Sequence, residues 1–224
     1  VPTPLGRSGG AILTPVGGGR SGIDEEAEHD ALLLAEMDRA LARAAQAADD
    51  RLDHRRGCPA CCIGPFPITV LDARRLGRGL RTLAARDPDR AAAVHRRARE
   101  TVALVAASFP GDPATGRLAD DEAAEESFAE TWADLPCPAL DPPTGSCDLY
   151  SHRPLSCRSY GPPVRVGSED LPPCHLCFVG SAEESATCRA LLDPDGREDA
   201  LLRDLAARGL EGETIVAFAL AAEV

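Results

Sequence analysis

Nine cysteines fall into two groups about seventy-five residues apart, and two of them, Cys61 and Cys62, are adjacent. The first group reads His54-x3-Cys58-x2-Cys61-Cys62. The second holds Cys137, Cys147 and Cys157, then Cys174-x2-Cys177, with Cys188 beyond. A Cys-x2-Cys step suits a metal, because the turn between the thiolates lets both face one ion and frees backbone N–H groups to face the sulfurs. An odd cysteine count in a chain of 224 residues is not the pattern of a disulfide scaffold, which is shorter and even-numbered. The first twenty-two residues are rich in Gly and Pro and lack the apolar run of a signal peptide, so a cytoplasmic location is expected, where reduced thiols serve as ligands or catalysts. The adjacent pair adds a constraint. Extended neighbours point to opposite faces, so Cys61 and Cys62 imply two nearby centres, a multi-iron cluster, or one ligand and one structural thiol. Thiolates brought together repel one another unless cations neutralise them.

The rest of the chain is built for helices. Hydrophobic residues make up 44% and aromatics only 4%, and the abundant Ala, Leu, Arg and Glu are strong helix formers. Residues 24–52 carry Leu34, Met37, Leu41, Ala45, Ala48 and Leu52 at three- and four-residue spacing, the mark of an amphipathic helix. Thr69 with Asp72 and Asp87 with Pro88 look like the starts of helices over 71–85 and 88–109. Further helices are expected over 120–132, 182–192, 198–207 and 213–222, with a loop over 110–116. The Pro- and Gly-dense stretch 135–180 holds five cysteines and is expected to be irregular. The fold class is therefore all-α with an irregular, metal-organised cysteine-rich segment. Residues 1–22 read as a disordered leader and 23–224 as one metal-binding domain, its cysteine-rich parts at 54–66 and 135–180.

Several chemistries are excluded or disfavoured. A net charge of −12 does not supply the basic stripe a nucleic-acid surface needs. All 24 basic residues are Arg, so no lysine can form a Schiff base. No stretch approaches the roughly 20 apolar residues of a membrane span. Neither a Ser-His-Asp pattern nor a phosphate loop is evident. The three-then-two cysteine spacing has a radical S-adenosylmethionine flavour, but His54 breaks that motif and strand–helix alternation is missing.

Two runs, Cys137-Pro138-Ala139-Leu140 and Cys147-Asp148-Leu149-Tyr150-Ser151-His152-Arg153-Pro154-Leu155-Ser156-Cys157-Arg158-Ser159-Tyr160, resemble the second half of the YkgJ-like cysteine-cluster family, a zinc- or iron-chelating domain with a CxxxCxxCC signature. The similarity runs from about Leu52 to Tyr160 and includes Ile68, Thr69 and Asp72 after the first cysteines. His54 stands where the family has its first cysteine. An imidazole there remains a legitimate ligand. A related domain occurs in flagellin lysine methylase, an enzyme associated with an iron–sulfur cluster. Methyl transfer is not carried over, because no glycine-rich nucleotide fingerprint follows a strand here.

The metal ligands expected are Cys58, Cys61, Cys62, Cys137, Cys147 and Cys157, with His54, Cys174 and Cys177 as a second tier. Cys188, alone on an expected helix, reads as a core thiol. His29 and His95 read as solvated, and His152 and His175 as hydrogen-bonding groups. Arg153 and Arg158 flank Cys157 as candidate donors to the site, and Trp132, Tyr150 and Tyr160 are expected to pack around it. The function expected is an iron–sulfur or iron centre for redox or metal-dependent enzymatic chemistry, with a 4Fe-4S cluster favoured over zinc or mononuclear iron. It would serve a small molecule, peptide or redox partner, with no nucleic acid and no membrane. The alternative is a structural zinc module that recognises a protein or peptide.

Overall fold

A computed structural model describes residues 20–52, 57–179 and 188–222. The first helix, α1 (Arg20–Ala48), takes in three residues read above as leader. Its buried face is displaced from the expected one. Glu26, Asp30, Leu33, Met37, Ala40, Ala44 and Ala48 face inward, while Leu34, Leu41 and Ala45 are only half-buried. The reason is ionic: Glu26 and Asp30 belong to the inner face because arginines of α2 (Val70–Arg86) meet them there.

Helix α2 begins as expected, with the Thr69 hydroxyl accepting from the Asp72 N–H at 3.2 Å. Asp87 accepts from the Arg90 N–H and starts α3 (Pro88–Val105), with Pro88 in the first turn. Asp121 does the same for α4 (Glu122–Thr131). The five-residue α5 (Leu155–Ser159) lies in the cysteine-rich stretch, followed by α6 (Arg197–Ala207) and α7 (Val216–Ala221).

The fold is about 54% helical, and the all-α expectation holds only in part, because small sheets join the loops. Strand β1 (Ile68–Thr69) pairs with β9 (Glu213–Thr214), and β2 (Gly111–Asp112), inside the expected 110–116 loop, with β3 (Arg117–Leu118) just after it. A hairpin of β4 (Leu140–Asp141) and β5 (Ser146–Cys147) carries Cys147. Strand β6 (Val164–Val166) sits between antiparallel β7 (Glu169–Leu171) and parallel β8 (Ala190–Leu192). β8 replaces the end of the helix expected over 182–192, whose first six residues lie outside the described ones. Ala190 and Leu192 face inward and Leu191 outward, the period of a strand, but an apolar run this short cannot be told from a helix segment by its sequence.

Three apolar clusters among the described residues hold the helices together, and a fourth gathers Cys174, Cys177 and Cys188 around Ala48 and Phe178. In the first, Leu76, Leu80 and Leu83 of α2, Val94 and Ala98 of α3, and Val216 and Leu220 of α7 pack with Ala139 and Leu149. Each fully buried Leu or Val contributes about 1.5–3 kcal/mol. His95, expected to be solvated, is half-buried and its Nδ1 lies 3.0 Å from the Leu220 carbonyl, which fixes the proton on that nitrogen. The second cluster joins α1 to α6 and the β6–β8 pair. The third collects Val105, Phe109, Phe128 and Phe218, with Phe109 and Phe128 edge to face at 5.9 Å. Trp132 packs on this third cluster and donates to Ser108 Oγ at 3.0 Å, so it does not shield the cysteines as expected.

Between α1, α2 and α6 lies a buried ionic knot. Arg75, fully buried, donates to Asp30 at 2.9 Å, Asp72 at 2.6 Å and Glu198 at 3.0 Å. Arg78 also holds Asp30, while Arg74 and Arg208 hold Glu26, each at 2.7 Å. No helix among the described residues is long and apolar enough to cross a membrane.

Candidate metal centre

Six cysteines from three stretches of chain line one cavity: Cys58, Cys61 and Cys62; Cys137 and Cys147; and Cys157. Each is placed by a local device. Residues Ala60–Cys62 form a single tight helical turn, closed by the Cys62 N–H on the Pro59 carbonyl at 2.7 Å. That turn corrects the extended-neighbour expectation for the adjacent pair. It brings the sulfurs of Cys61 and Cys62 to 3.9 Å, close to the edge of a tetrahedral thiolate site, about 3.8 Å for a 2.3 Å metal–sulfur bond.

The second stretch is stitched onto the first. The Cys137 N–H donates to the Cys62 carbonyl at 2.8 Å, and the Gly64 N–H to the Leu135 carbonyl at 2.8 Å. The β4–β5 turn meets the chain before Cys58 where Gly145 and Gly57 both take positive φ. A Cβ on Gly145 would stand 2.9 Å from the Gly57 carbonyl oxygen, so the seam needs glycine. Asp148, next to Cys147, clamps the hairpin to α3: its carboxylate takes Arg97 at 2.7 Å and also Arg90, while Arg97 donates to the Pro138 carbonyl at 2.8 Å.

Cys157 rides on α5, whose first N–H groups lack helical partners. The Leu155 N–H donates to Asp72 of the ionic knot at 2.9 Å. Arg158, buried, donates to Asp38 of α1 and to the Ser151 and Arg153 carbonyls. The Arg-Pro-x-x-Cys-Arg run is thus a positioning device: Arg158 anchors the helix, while Arg153 lines the cavity with its guanidinium 3.9 Å from the Tyr150 ring centre.

Electrostatics at the cavity are those of crowded thiols. Burial, with the neighbouring sulfurs, pushes Cys137 up to about 12 and Cys147 up to about 11, and holds Cys157 well above the usual thiol range. Cys61 lies below it, chiefly because the Cys62 thiol donates to it; Cys62 is raised in turn by that same bond and by burial. Backbone N–H groups of Ala139 and Leu140 face Cys137, and that of Leu149 faces Cys147, each favouring the thiolate. Among the described residues, Arg153 is the one cationic side chain that lines the cavity.

Residues 54–177, more than half of the chain, match the CxxCxxCC family, described as a putative zinc- or iron-chelating domain. The chain belongs to this family. No curated protein and no solved structure matches it.

Membership in the CxxCxxCC family supports metal binding in general, and the donors present fit a thiophilic ion. They offer six sulfurs, amide N–H groups aimed at sulfur, and walls of Leu76, Ala139 and Val216 that keep water out. The cavity, about 40 Å³, exceeds the roughly 10–15 Å³ that one buried water needs, leaving room for an ion with a further ligand or for bridged atoms. Among the described residues no three His, Cys, Asp or Glu side chains stand arranged to hold one ion.

None of the nine cysteines is in a disulfide. Cys174 and Cys177 lie apart from the cavity, in a buried cluster with Cys188. Cys188 is a buried thiol as read, but in company rather than alone. Tyr160 stands near both groups, its hydroxyl raised by burial and by the charges of Cys174, Cys61, Cys58 and Cys177. His54 lies outside the described residues. Sequence reasoning missed Asp148 and Asp72 as anchors, since a carboxylate beside a cysteine or in a first helical turn reads as solvated.

Proposed function

We propose that the cavity holds an iron or iron–sulfur centre used for redox or metal-dependent enzymatic chemistry. The observation that carries this reading is the convergence of six thiols on one cavity, where Arg153 is the one lining cation among the described residues. Four of the six sulfurs suffice for an iron–sulfur cluster, and the remaining two leave room for a further ligand at an open iron. Such a centre would supply electron transfer or an open coordination position. The chain's own residues hold and orient it: Cys58, Cys61, Cys62, Cys137, Cys147 and Cys157 as donors, Leu76 and Val216 as a dry wall, and backbone N–H groups tuning the sulfurs. Tyr150, 47% exposed and stacked with Arg153, marks the side from which a small molecule or redox partner reaches the centre. Protein purified without oxygen is expected to be brown and to contain iron and acid-labile sulfide.

One observation favours a second reading. The 3.9 Å separation of Cys61 and Cys62 suits a single tetrahedral zinc, and then the domain is a structural module that recognises a protein or peptide. Colourless protein with stoichiometric zinc, and no sulfide even after anaerobic reconstitution, would move the assignment there.

A further inference from the structure

Arg153 is fixed at the mouth of the six-thiol cavity, yet among the described residues it pairs with no carboxylate. The turn Tyr150–His152 seats on α2 at Gly79, where a Cβ would stand 2.6 Å from His152 Cβ, so glycine lets the turn come this close. Arg153 follows at φ = −64° and ψ = 149°, the extended conformation that the next residue, buried Pro154, imposes. Its guanidinium is held in turn. It lies 3.9 Å from the Tyr150 ring centre, and Nη1 donates to the Tyr150 carbonyl at 2.8 Å. That bond leaves the rest of its five donors open. Arg74, Arg75, Arg78, Arg97 and Arg158 are also withdrawn from solvent, and each of them holds an Asp or a Glu. Arg153 differs. Its charge reaches Cys61 and Cys147, but among the described residues it makes no hydrogen bond to a sulfur. In a chain with 36 acids to 24 arginines, a partly buried arginine kept clear of carboxylates is a cation set aside for an anion from outside the fold.

We propose that Arg153 recognises a small organic acid, whose carboxylate binds the open edge of the guanidinium at the mouth of the cavity. This deepens the reading of the cavity as a metal-dependent site and rests on it for what the acid meets there. Two features select a carboxylate over other anions. Stacking on Tyr150 fixes the plane of the guanidinium, and a carboxylate lying in that plane takes two parallel N–H bonds. A single cation also matches a single carboxylate charge. A phosphate group carries nearly two and calls for a second cation, and among the described residues no other cationic side chain lines the cavity. Access agrees with this. Tyr150 is 47% exposed, so the apolar part of the acid can rest against the rim while its charged end points at Arg153. Because the turn and Pro154 already hold Arg153 in place, little ordering is left to offset when the acid binds.

The test titrates the full chain, purified with the metal it carries, against benzoate and its neutral isostere benzamide by calorimetry. Benzoate is expected to bind at least about tenfold more tightly than benzamide, the worth of hydrogen bonds from a charged donor. Arg153→Gln is expected to lose that preference with its metal content unchanged. Arg153→Lys, which keeps the charge but not the planar fork, is expected to recover part of it. Benzoate bound equally well by Arg153→Gln would overturn the proposal, since the acid would then be held by the metal or elsewhere. Inorganic phosphate binding more tightly than benzoate would overturn it too. Should the variants fail to fold, phenylglyoxal labelling of the parent mapped by mass spectrometry decides instead. Benzoate, and not benzamide, is expected to shield Arg153, and equal labelling with and without benzoate would rule the site out. Metal and sulfide are counted on the same samples. Zinc protein that binds benzoate through Arg153 would sink the iron reading and leave this one standing, and brown protein indifferent to benzoate would do the reverse.

Discussion

Arg75 and Leu76 are neighbours on α2, yet they serve two opposite kinds of buried site. Arg75 sits in a knot of carboxylates, Asp30, Asp72 and Glu198, and the protein brings its own cations to them. Leu76 forms a wall of the six-thiol cavity, where, among the described residues, the single lining cation is Arg153 at the rim. Both sites gather potential anions away from water, which is costly unless opposite charge is at hand. The knot is complete as the chain folds. The cavity has donors in excess of cations, and the missing charge is what a metal would bring.

The largest effect should come from breaking the self-sufficient side. Arg75→Ala leaves three buried carboxylates without their shared cation and is expected to destabilise the fold by about 3–5 kcal/mol in denaturant unfolding. A loss under about 1 kcal/mol would mean that water or the remaining arginines take over, and the contrast would collapse. On the other side, chelation should do to the cysteine-rich stretch what that substitution does to the knot. Limited proteolysis of metal-stripped protein is expected to cut between residues 135 and 179 while α1, α2 and α3 stay protected, because the stretch holds little apolar surface to offset its ordering entropy. Unchanged protection of that stretch would show that packing alone orders it.

A smaller effect separates the knot's members by pH. Burial, with Asp72 nearby, lifts Glu198 to about 7 from 4.5, even against Arg75. The folded protein therefore keeps this proton over a range in which the unfolded chain has released it. Between pH 4.5 and about 7, stability contributed by Glu198 falls as pH rises. Glu198→Gln should remove that part of the slope, so the variant's melting temperature gains on the parent's as pH rises through this window. Parallel curves would place Glu198's proton elsewhere. The smallest effect is expected at the rim. If metal rather than Arg153 neutralises the thiols, Arg153→Gln keeps full metal content and shifts stability by less than about 1 kcal/mol, the worth of an exposed cation–π contact. Loss of metal would make Arg153 a true counter-charge.

Residue types were more legible than their surroundings. The six cysteines of the cavity could be named from spacing, and the helix starts at Thr69 and Asp87 from local chemistry, because each depends on a residue three positions away. The inward turn of Glu26 and Asp30 could not be read, since their arginines lie more than forty residues on. Two-residue strands such as β1 and β9 leave no periodicity to detect, and they exist because tertiary packing brings the partners together. The split between six thiols and three is also a tertiary fact: Cys157 and Cys174 share one Pro/Gly-rich stretch but face different clusters.

The pairing of β1 with β9 delivers Val216 into the cavity wall. Cys61 and Cys62 leave the ribosome about 150 residues before that wall exists, on the order of ten seconds at ordinary synthesis rates. During that interval the first thiols are open to any oxidant or competing ion in the cell. A centre assembled early would be held by Cys58, Cys61 and Cys62 alone. If the cavity takes a metal, its donors are complete once Cys157 has been made, and the apolar wall closes over them only with Val216.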